Sequence, residues 1–111
     1  KIVDGACLEI AAPEATMPPS TEGIGIRTIG QIPHNIIASA QNLKLLDVTA
    51  ADMADACRDI YTQCGIRAEL AACASVAALK QLEIASDDRI VCIVSGGNID
   101  SDVFSRIISD T

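Results

Sequence analysis

Aromatic side chains are nearly absent from this sequence, which has one Phe, one Tyr and no Trp among 111 residues. Half of the residues are nevertheless apolar, so we expect an aliphatic core rich in alanine. The length suits one small domain or part of one. No apolar run approaches the roughly 20 residues that a membrane-spanning helix needs, so a membrane is not expected as a partner.

Positive charge is also scarce, because eight Lys and Arg residues stand against fifteen acidic residues and the net charge is −7. The charges are spread along the chain without a basic cluster, so we expect an acidic surface and no nucleic-acid partner. Histidine occurs once, at His34, to which we assign a surface or loop position and no role. A zinc site that combines cysteine and histidine is therefore not predicted.

The five cysteines contain no Cys-x-x-Cys pair, and their number is odd. Most of them lie among alanine and valine residues, as buried small side chains do. We interpret them as reduced thiols of a cytoplasmic protein rather than as disulfides. They are Cys7, Cys57, Cys64, Cys73 and Cys92.

Short apolar runs alternate with helical patterns, which is typical of an α/β fold. Residues 90–94 are apolar and rich in β-branched side chains, which predicts a strand buried on both faces. Residues 44–49 predict an edge strand. The predicted helices cover residues 50–64, 69–82 and 101–109. The resulting fold class is α/β: part of a parallel-sheet domain with flanking helices, in which a two-helix crossover joins the strands.

The helix over residues 50–64 has the clearest signals at its ends. Thr49 is a candidate N-cap, and Asp52 follows three residues later, as in a capping box. Apolar side chains recur at helical spacing along the segment, and Gly65 stands where a C-cap is expected.

Proline and glycine interrupt the chain before this helix. Residues 1–5 predict the end of a strand and a turn, and residues 6–12 predict one or two helical turns. A proline-containing loop follows, and a further helical turn is predicted near residues 34–39.

Ser95, Gly96 and Gly97 directly follow the predicted strand at residues 90–94. The glycines permit a sharp turn, and the candidate caps for the next helix are Asn98, Asp100 and Ser101. The serine hydroxyl and free backbone N–H groups would then lie at the carboxyl end of a strand, where open α/β sheets bind ligands. Without a ligand, the same residues make an ordinary strand-to-helix turn.

Residues 94–100 resemble the C-terminal Ser-Gly-Gly-Asn-(Val/Ile)-Asp motif of the threonine dehydratase and serine racemase family, whose members are pyridoxal-phosphate enzymes of fold type II. In that family the motif serine faces the pyridine nitrogen of the cofactor. The resemblance therefore implies cofactor-binding roles for Ser95 and Gly96.

Three further segments are similar to the same family, in the same order along the chain. Residues 22–30 resemble its Asp-Gly-Ile-Ala-Val-x-x-Pro-Gly segment, which implies that Gly23 touches the cofactor ring. Residues 45–53 resemble its strand and following helix start. Residues 65–74 resemble its Glu-Pro-x-Gly-Ala segment, which implies that Glu69 lies near the cofactor. The departures from these patterns are Glu22, Ile29, Leu70 and Ala72.

Each of these residues also has a purely structural interpretation. Glu69 suits the first turn of a helix, where the helix dipole favours an acid. Gly23 suits a loop, and the acids of the helix over residues 50–64 suit a solvated face.

Two features of the family are missing from these 111 residues, namely the Ser-x-Lys motif of its Schiff-base lysine and its glycine-rich phosphate loop. The resemblance therefore implies that residues 1–111 are an incomplete C-terminal portion of a catalytic domain, without a catalytic residue of its own. Pyridoxal phosphate would bind only together with the missing N-terminal part. Some relatives bind a divalent cation through a Glu and an Asp, but Ile2 and Leu8 stand at the matching positions, so no metal is expected.

The activity implied for the whole enzyme is elimination of water from L-threonine or L-serine, which yields a 2-oxo acid and ammonia. We expect an amino-acid substrate, the missing N-terminal part as a partner, and a homo-oligomer in the cytoplasm. Two alternatives remain open: a non-catalytic α/β regulatory or interaction module, and an amino-acid racemase of the same family.

Overall fold

Helices form the regular elements in the computed structural model, which describes residues 23–25 and 28–109. Short 3-10 turns lie on either side of the third helix, at Ala71–Cys73 and Ala78–Gln81. None of the described helices is long and apolar enough to cross a membrane. The strand and helical turns predicted at residues 1–12 lie outside the described residues. The α-helices are α1 (Gln31–Ser39), α2 (Ala50–Cys64), α3 (Ala74–Ala77) and α4 (Ser101–Ser109).

The predicted limits of α2 are confirmed, and so are both of its caps. The Thr49 hydroxyl accepts the Asp52 backbone N–H at 3.1 Å, and the Asp52 carboxylate accepts the Thr49 backbone N–H at 3.0 Å. The hydrogen bond from the Thr49 side chain, together with that from its backbone, lowers the pKa of Asp52. At the other end Gly65 has a left-handed φ of 67°, and its N–H donates to the Tyr61 carbonyl at 2.8 Å.

The buried core lies between α2, the segment that follows it and α4. The expectation of an aliphatic core rich in alanine is confirmed. Among the described residues, Phe104 is the single aromatic side chain that is buried in this core. The buried members are Met53, Ala56, Cys57, Ile60, Ala68, Leu70, Cys73, Ala77, Ile99 and Phe104.

The predicted parallel sheet is wrong, because no strand is present within residues 23–25 and 28–109. Residues 90–94, predicted to be a buried strand, are irregular and largely exposed: 88% of Val91 and 74% of Ile93 face solvent. Residues 44–49, the predicted edge strand, are likewise irregular, and Leu45 is exposed. A strand forms only where a second strand satisfies its backbone groups, and the described part of the chain provides none.

Residues 90–94 are instead connected to the chain near α3. The Ser75 hydroxyl donates to the Ile93 carbonyl at 2.9 Å, and the Cys92 thiol donates to the Ser75 carbonyl at 3.7 Å. Side-chain contacts, and not pairing with another strand, therefore hold residues 90–94 in place. The segment that follows, residues 95–100, is called the glycine turn below.

The helix predicted over residues 69–82 is confirmed only in part: residues 71–81 are helical, but the structure divides them into two 3-10 turns and the short α3. The Glu69 carbonyl accepts the Ala72 N–H at 3.0 Å and the Cys73 thiol at 3.2 Å. The Cys73 N–H, which would bond to Glu69 in an α-helix, donates to Leu70 at 3.0 Å instead. The Cys73 thiol thus donates to the Glu69 carbonyl, which in an α-helix would accept the Cys73 N–H instead.

The helical turn predicted near residues 34–39 is confirmed and extended, because α1 begins at Gln31. Pro33 is compatible with α1 because it lies in the first turn, where its missing N–H breaks no helical bond. The surface or loop position predicted for His34 is wrong: the residue is helical and only 4% exposed. Its two ring nitrogens have no hydrogen-bond partner among the described residues.

The cysteines differ sharply in exposure, so we expect them to differ in reactivity. Burial raises the pKa of Cys57 and raises that of Cys73 to about 12, whereas the free thiol of Cys64 is exposed. Because the thiolate is the reacting form, a short pulse of N-ethylmaleimide should label Cys64 in the folded protein and leave Cys57 and Cys73 unmodified. Mass spectrometry of peptides labelled with and without urea measures this. Equal native labelling of Cys64 and Cys73 would contradict the buried positions.

Candidate functional site

Glu69 lies where the segment after α2 meets the glycine turn before α4. Its backbone N–H donates to the Gly96 carbonyl at 3.1 Å. Two of the residues to which the sequence assigns cofactor-binding roles are therefore joined by a main-chain hydrogen bond, although they are far apart in the chain.

The side chain of Glu69 also lies against Gly96. A β-carbon added at Gly96 would be 2.5 Å from Cδ and 2.9 Å from Cγ of Glu69. Real β-carbons do not approach other atoms this closely, so the carboxylate occupies its position only because residue 96 has no side chain.

Gly23 approaches the same carboxylate from a third segment. A β-carbon added at Gly23 would be 3.4 Å from Oε1 of Glu69 and 3.2 Å from the Ala71 β-carbon. Glu69 is half-buried between these glycines, and its carboxylate has no hydrogen bond or ion pair within the described part of the chain. Gly23, Glu69 and Gly96 thus form one cluster, which we call the Glu69 cluster.

Ser95 is the fourth residue to which the family resemblance assigns a cofactor-binding role. It directly precedes Gly96 of the Glu69 cluster in the chain. Its side chain is exposed, and its hydroxyl has no hydrogen-bond partner among the residues described. The turn that follows is closed by Asp100, one of the three candidate caps. Its carboxylate accepts the N–H groups of Asp102 at 2.8 Å and Val103 at 3.4 Å at the start of α4.

Sequence reasoning missed two residues that support the site. Ala71 contacts the position of Gly23, and Arg67 reaches across to the turn, where it donates to the Ile99 carbonyl and to the Ser101 hydroxyl. The only signal for Arg67 in the sequence is that a charged residue stands between two apolar residues, Ile66 and Ala68.

The Glu69 cluster offers groups that can bind a polar ligand. A free carboxylate accepts hydrogen bonds, and the hydroxyl of Ser95, next to Gly96 in the chain, donates or accepts them. The nearest thiol, Cys73, is buried with its pKa raised to about 12, so it remains protonated. The residues described contain no group of three His, Cys, Asp or Glu side chains that could hold a metal ion.

Comparison with known proteins finds similarity to one kind of enzyme. The chain is 31% identical over 86 residues to the biosynthetic L-threonine dehydratase IlvA of Corynebacterium glutamicum, a match that covers 77% of this chain. The protein of the same name is 32% identical in Mycobacterium leprae and 37% identical in Lactococcus lactis, over 71% of this chain in each case. No family model and no solved structure matches the sequence.

These matches cover a limited part of each relative, because the chain spans about a fifth of their length. The matches confirm the resemblance of this chain to the threonine dehydratase family.

Proposed function

We propose that this chain forms one wall of the pyridoxal-phosphate site of a threonine dehydratase, which eliminates water from L-threonine or L-serine and releases a 2-oxo acid and ammonia. The similarity to named L-threonine dehydratases supports the enzyme class. The observation that carries the proposal is the convergence of Glu69, Gly96 and Gly23, which the motifs assign to one cofactor site and which lie in contact.

The residues suit pyridoxal phosphate in two respects. Gly23 and Gly96 present bare backbone, which lets the Glu69 side chain lie against Gly96 and close to Gly23, beside the residues that the motifs assign to the cofactor. Ser95 and Glu69 carry polar groups without partners in the described structure, so both can bond to the polar edge of a cofactor. In this proposal Ser95 bonds to the pyridine nitrogen, while Gly23, Gly96 and Glu69 line the ring.

When bound, pyridoxal phosphate supplies an electron sink for the bonds at the α-carbon of the amino acid. The role of Ser95 is to offer the ring nitrogen a neutral hydroxyl instead of a carboxylate, which leaves the nitrogen largely unprotonated and tempers that sink. Gly23 and Gly96 would add main-chain surface without side chains of their own. The residues of this chain therefore bind and orient, and the reacting lysine belongs to a part of the enzyme outside these 111 residues.

The partners follow from the same proposal. The remaining part of the enzyme would supply the lysine and the phosphate loop, the substrate would be a β-hydroxy amino acid, and the whole protein would form a homo-oligomer. The exposed side chains of Val91 and Ile93 are apolar surface that such a remaining part would cover. We further propose a cytoplasmic location, because the buried cysteines are free thiols.

The test is an assay of the complete protein for 2-oxo acid released from L-threonine and L-serine. We expect Ser95→Ala to weaken cofactor binding about five- to tenfold, since it removes one neutral hydrogen bond of about 1 kcal/mol. Ser95→Asp should lower turnover further, because a carboxylate favours a protonated ring nitrogen. Ser105→Ala is the matched control, since Ser105 is an exposed serine on α4 outside the site.

Three outcomes would reject the proposal in different ways. Racemised amino acid without 2-oxo acid would identify a racemase. A complete protein that binds no pyridoxal phosphate would identify a non-catalytic module. Equal cofactor affinity in Ser95→Ala and Ser105→Ala would remove the role assigned to Ser95.

A further inference from the structure

The guanidinium of Arg67 bridges the segment after α2 to the end of the glycine turn. It donates to the Ile99 carbonyl and, at 3.1 Å, to the Ser101 hydroxyl. These acceptors lie on either side of Asp100, the residue that caps α4. Hydrogen bonds from a charged donor are roughly twice as strong as neutral ones, so Arg67 fixes the turn relative to α4.

The same guanidinium is held from a second direction by an aromatic ring. Its central carbon lies 4.9 Å from the ring centroid of Phe104, which is buried in the core. A planar, permanently charged group can stack on a ring and donate to two acceptors at once, and a lysine ammonium cannot reproduce this arrangement.

The turn is anchored on its other side by the backbone of residues 67–69. Glu69 donates its N–H to Gly96, and a β-carbon at Gly97 would be 3.0 Å from the Arg67 carbonyl. Gly97 in turn accepts the Ile99 N–H at 3.0 Å. Residues 67–69 therefore hold the turn at two places: the Arg67 side chain bonds to its end, and the Glu69 N–H bonds to Gly96 near its start.

We infer that Arg67 is a positioning residue, which holds the glycine turn so that Gly96 stays against Glu69 and Ser95 stays beside the Glu69 cluster. The inference rests on the proposed function in so far as that cluster binds pyridoxal phosphate. Its structural part, the position of the turn, does not depend on any ligand.

Arg58 provides a matched control, because it makes the same kind of contact at the other end of α4. Its guanidinium donates to the Ile107 carbonyl at 3.1 Å and pairs with Asp55. Arg58→Met therefore removes a guanidinium-to-carbonyl bond that holds α4, but at a place remote from the glycine turn.

The experiment compares Arg67→Met, Arg67→Lys and Arg58→Met in the complete protein. Amide hydrogen exchange, followed by mass spectrometry of peptides spanning residues 67–72 and 95–101, measures the turn without a cofactor. We expect Arg67→Met to accelerate exchange in both peptides about tenfold, the equivalent of one charge-assisted hydrogen bond. Arg58→Met should leave both peptides unchanged, and Arg67→Lys should restore part of the protection.

Titration with pyridoxal phosphate, followed by the fluorescence of the bound cofactor, provides the second readout. We expect Arg67→Met to weaken binding about tenfold and Arg58→Met to leave it unaltered. Unchanged exchange in Arg67→Met, or equal acceleration in Arg67→Met and Arg58→Met, would overturn the inference. If Arg67→Met does not fold, Arg67→Lys replaces it in both measurements. Exchange and cofactor binding in Arg67→Lys equal to those in Arg58→Met would then overturn the inference.

The two proposals can fail separately. A wild-type protein that binds no pyridoxal phosphate would reject the proposed function, and the exchange data would still decide whether Arg67 holds the turn. Normal cofactor binding in an Arg67→Met protein with a loosened turn would reject the link between the turn and the site.

Discussion

Replacing Phe104 by alanine should lower the free energy of unfolding by about 3–5 kcal/mol, the usual cost of removing a large aromatic side chain from a core. Phe104 is 8% exposed and is the only Phe in the chain. Its ring forms a T-shaped pair with Tyr61 at a centroid distance of 5.2 Å and lies beneath the Arg67 guanidinium. The substitution therefore removes packing, an aromatic pair and a cation–π contact together.

Urea denaturation of the complete protein, with maleimide labelling of Cys57 as the signal, measures this loss. Phe104→Leu should cost less, because it keeps much of the buried volume. Ile32→Ala should have almost no effect, since Ile32 is 76% exposed. A cost below 1 kcal/mol for Phe104→Ala would contradict the position of the ring in the core.

Replacing Gly96 by alanine should displace the Glu69 carboxylate and weaken cofactor binding by about ten- to a hundredfold. The added β-carbon would overlap Cδ and Cγ of Glu69, so rotation of the carboxylate tip alone does not relieve the contact. Overpacking of this kind costs about 1–3 kcal/mol. Gly30→Ala is the control, because a β-carbon there would meet Pro33 at an ordinary 3.7 Å.

A double-mutant cycle tests the contact without the cofactor. Gly96→Ala should lower the free energy of unfolding, whereas Gly96→Ala combined with Glu69→Ala should regain most of the loss, because the second change removes the overlapping atoms. Strict additivity of the two changes would show that residues 69 and 96 are not in contact.

The parts of this structure that could be predicted from the sequence are those that depend on neighbouring residues. α2 was predicted with its limits because Thr49, Asp52 and Gly65 act within one helical turn of its ends. The strand at residues 90–94 was predicted wrongly, because an apolar, β-branched run indicates an extended backbone but does not provide the second strand that a sheet requires.

The Glu69 cluster was predictable for a different reason. Three short motifs separately predict a cofactor-binding role for Gly23, Glu69 and Gly96. In the structure these three residues lie close together. Arg67 belongs to none of these motifs. Its acceptors include a main-chain carbonyl, which no pattern of side chains reveals, so its role became visible only in the folded chain.

The exposed run at residues 90–94 has a consequence for handling the protein. Six consecutive residues, 89–94, combine strong β-propensity with a single charge and contain neither proline nor glycine, which is the composition of segments that stack into cross-β fibrils. Val91 and Ile93 face solvent, and among the described residues no strand pairs with this segment. We therefore expect a preparation of these 111 residues alone to form fibrils that bind thioflavin T, and a charged residue at position 91 or 93 to suppress them.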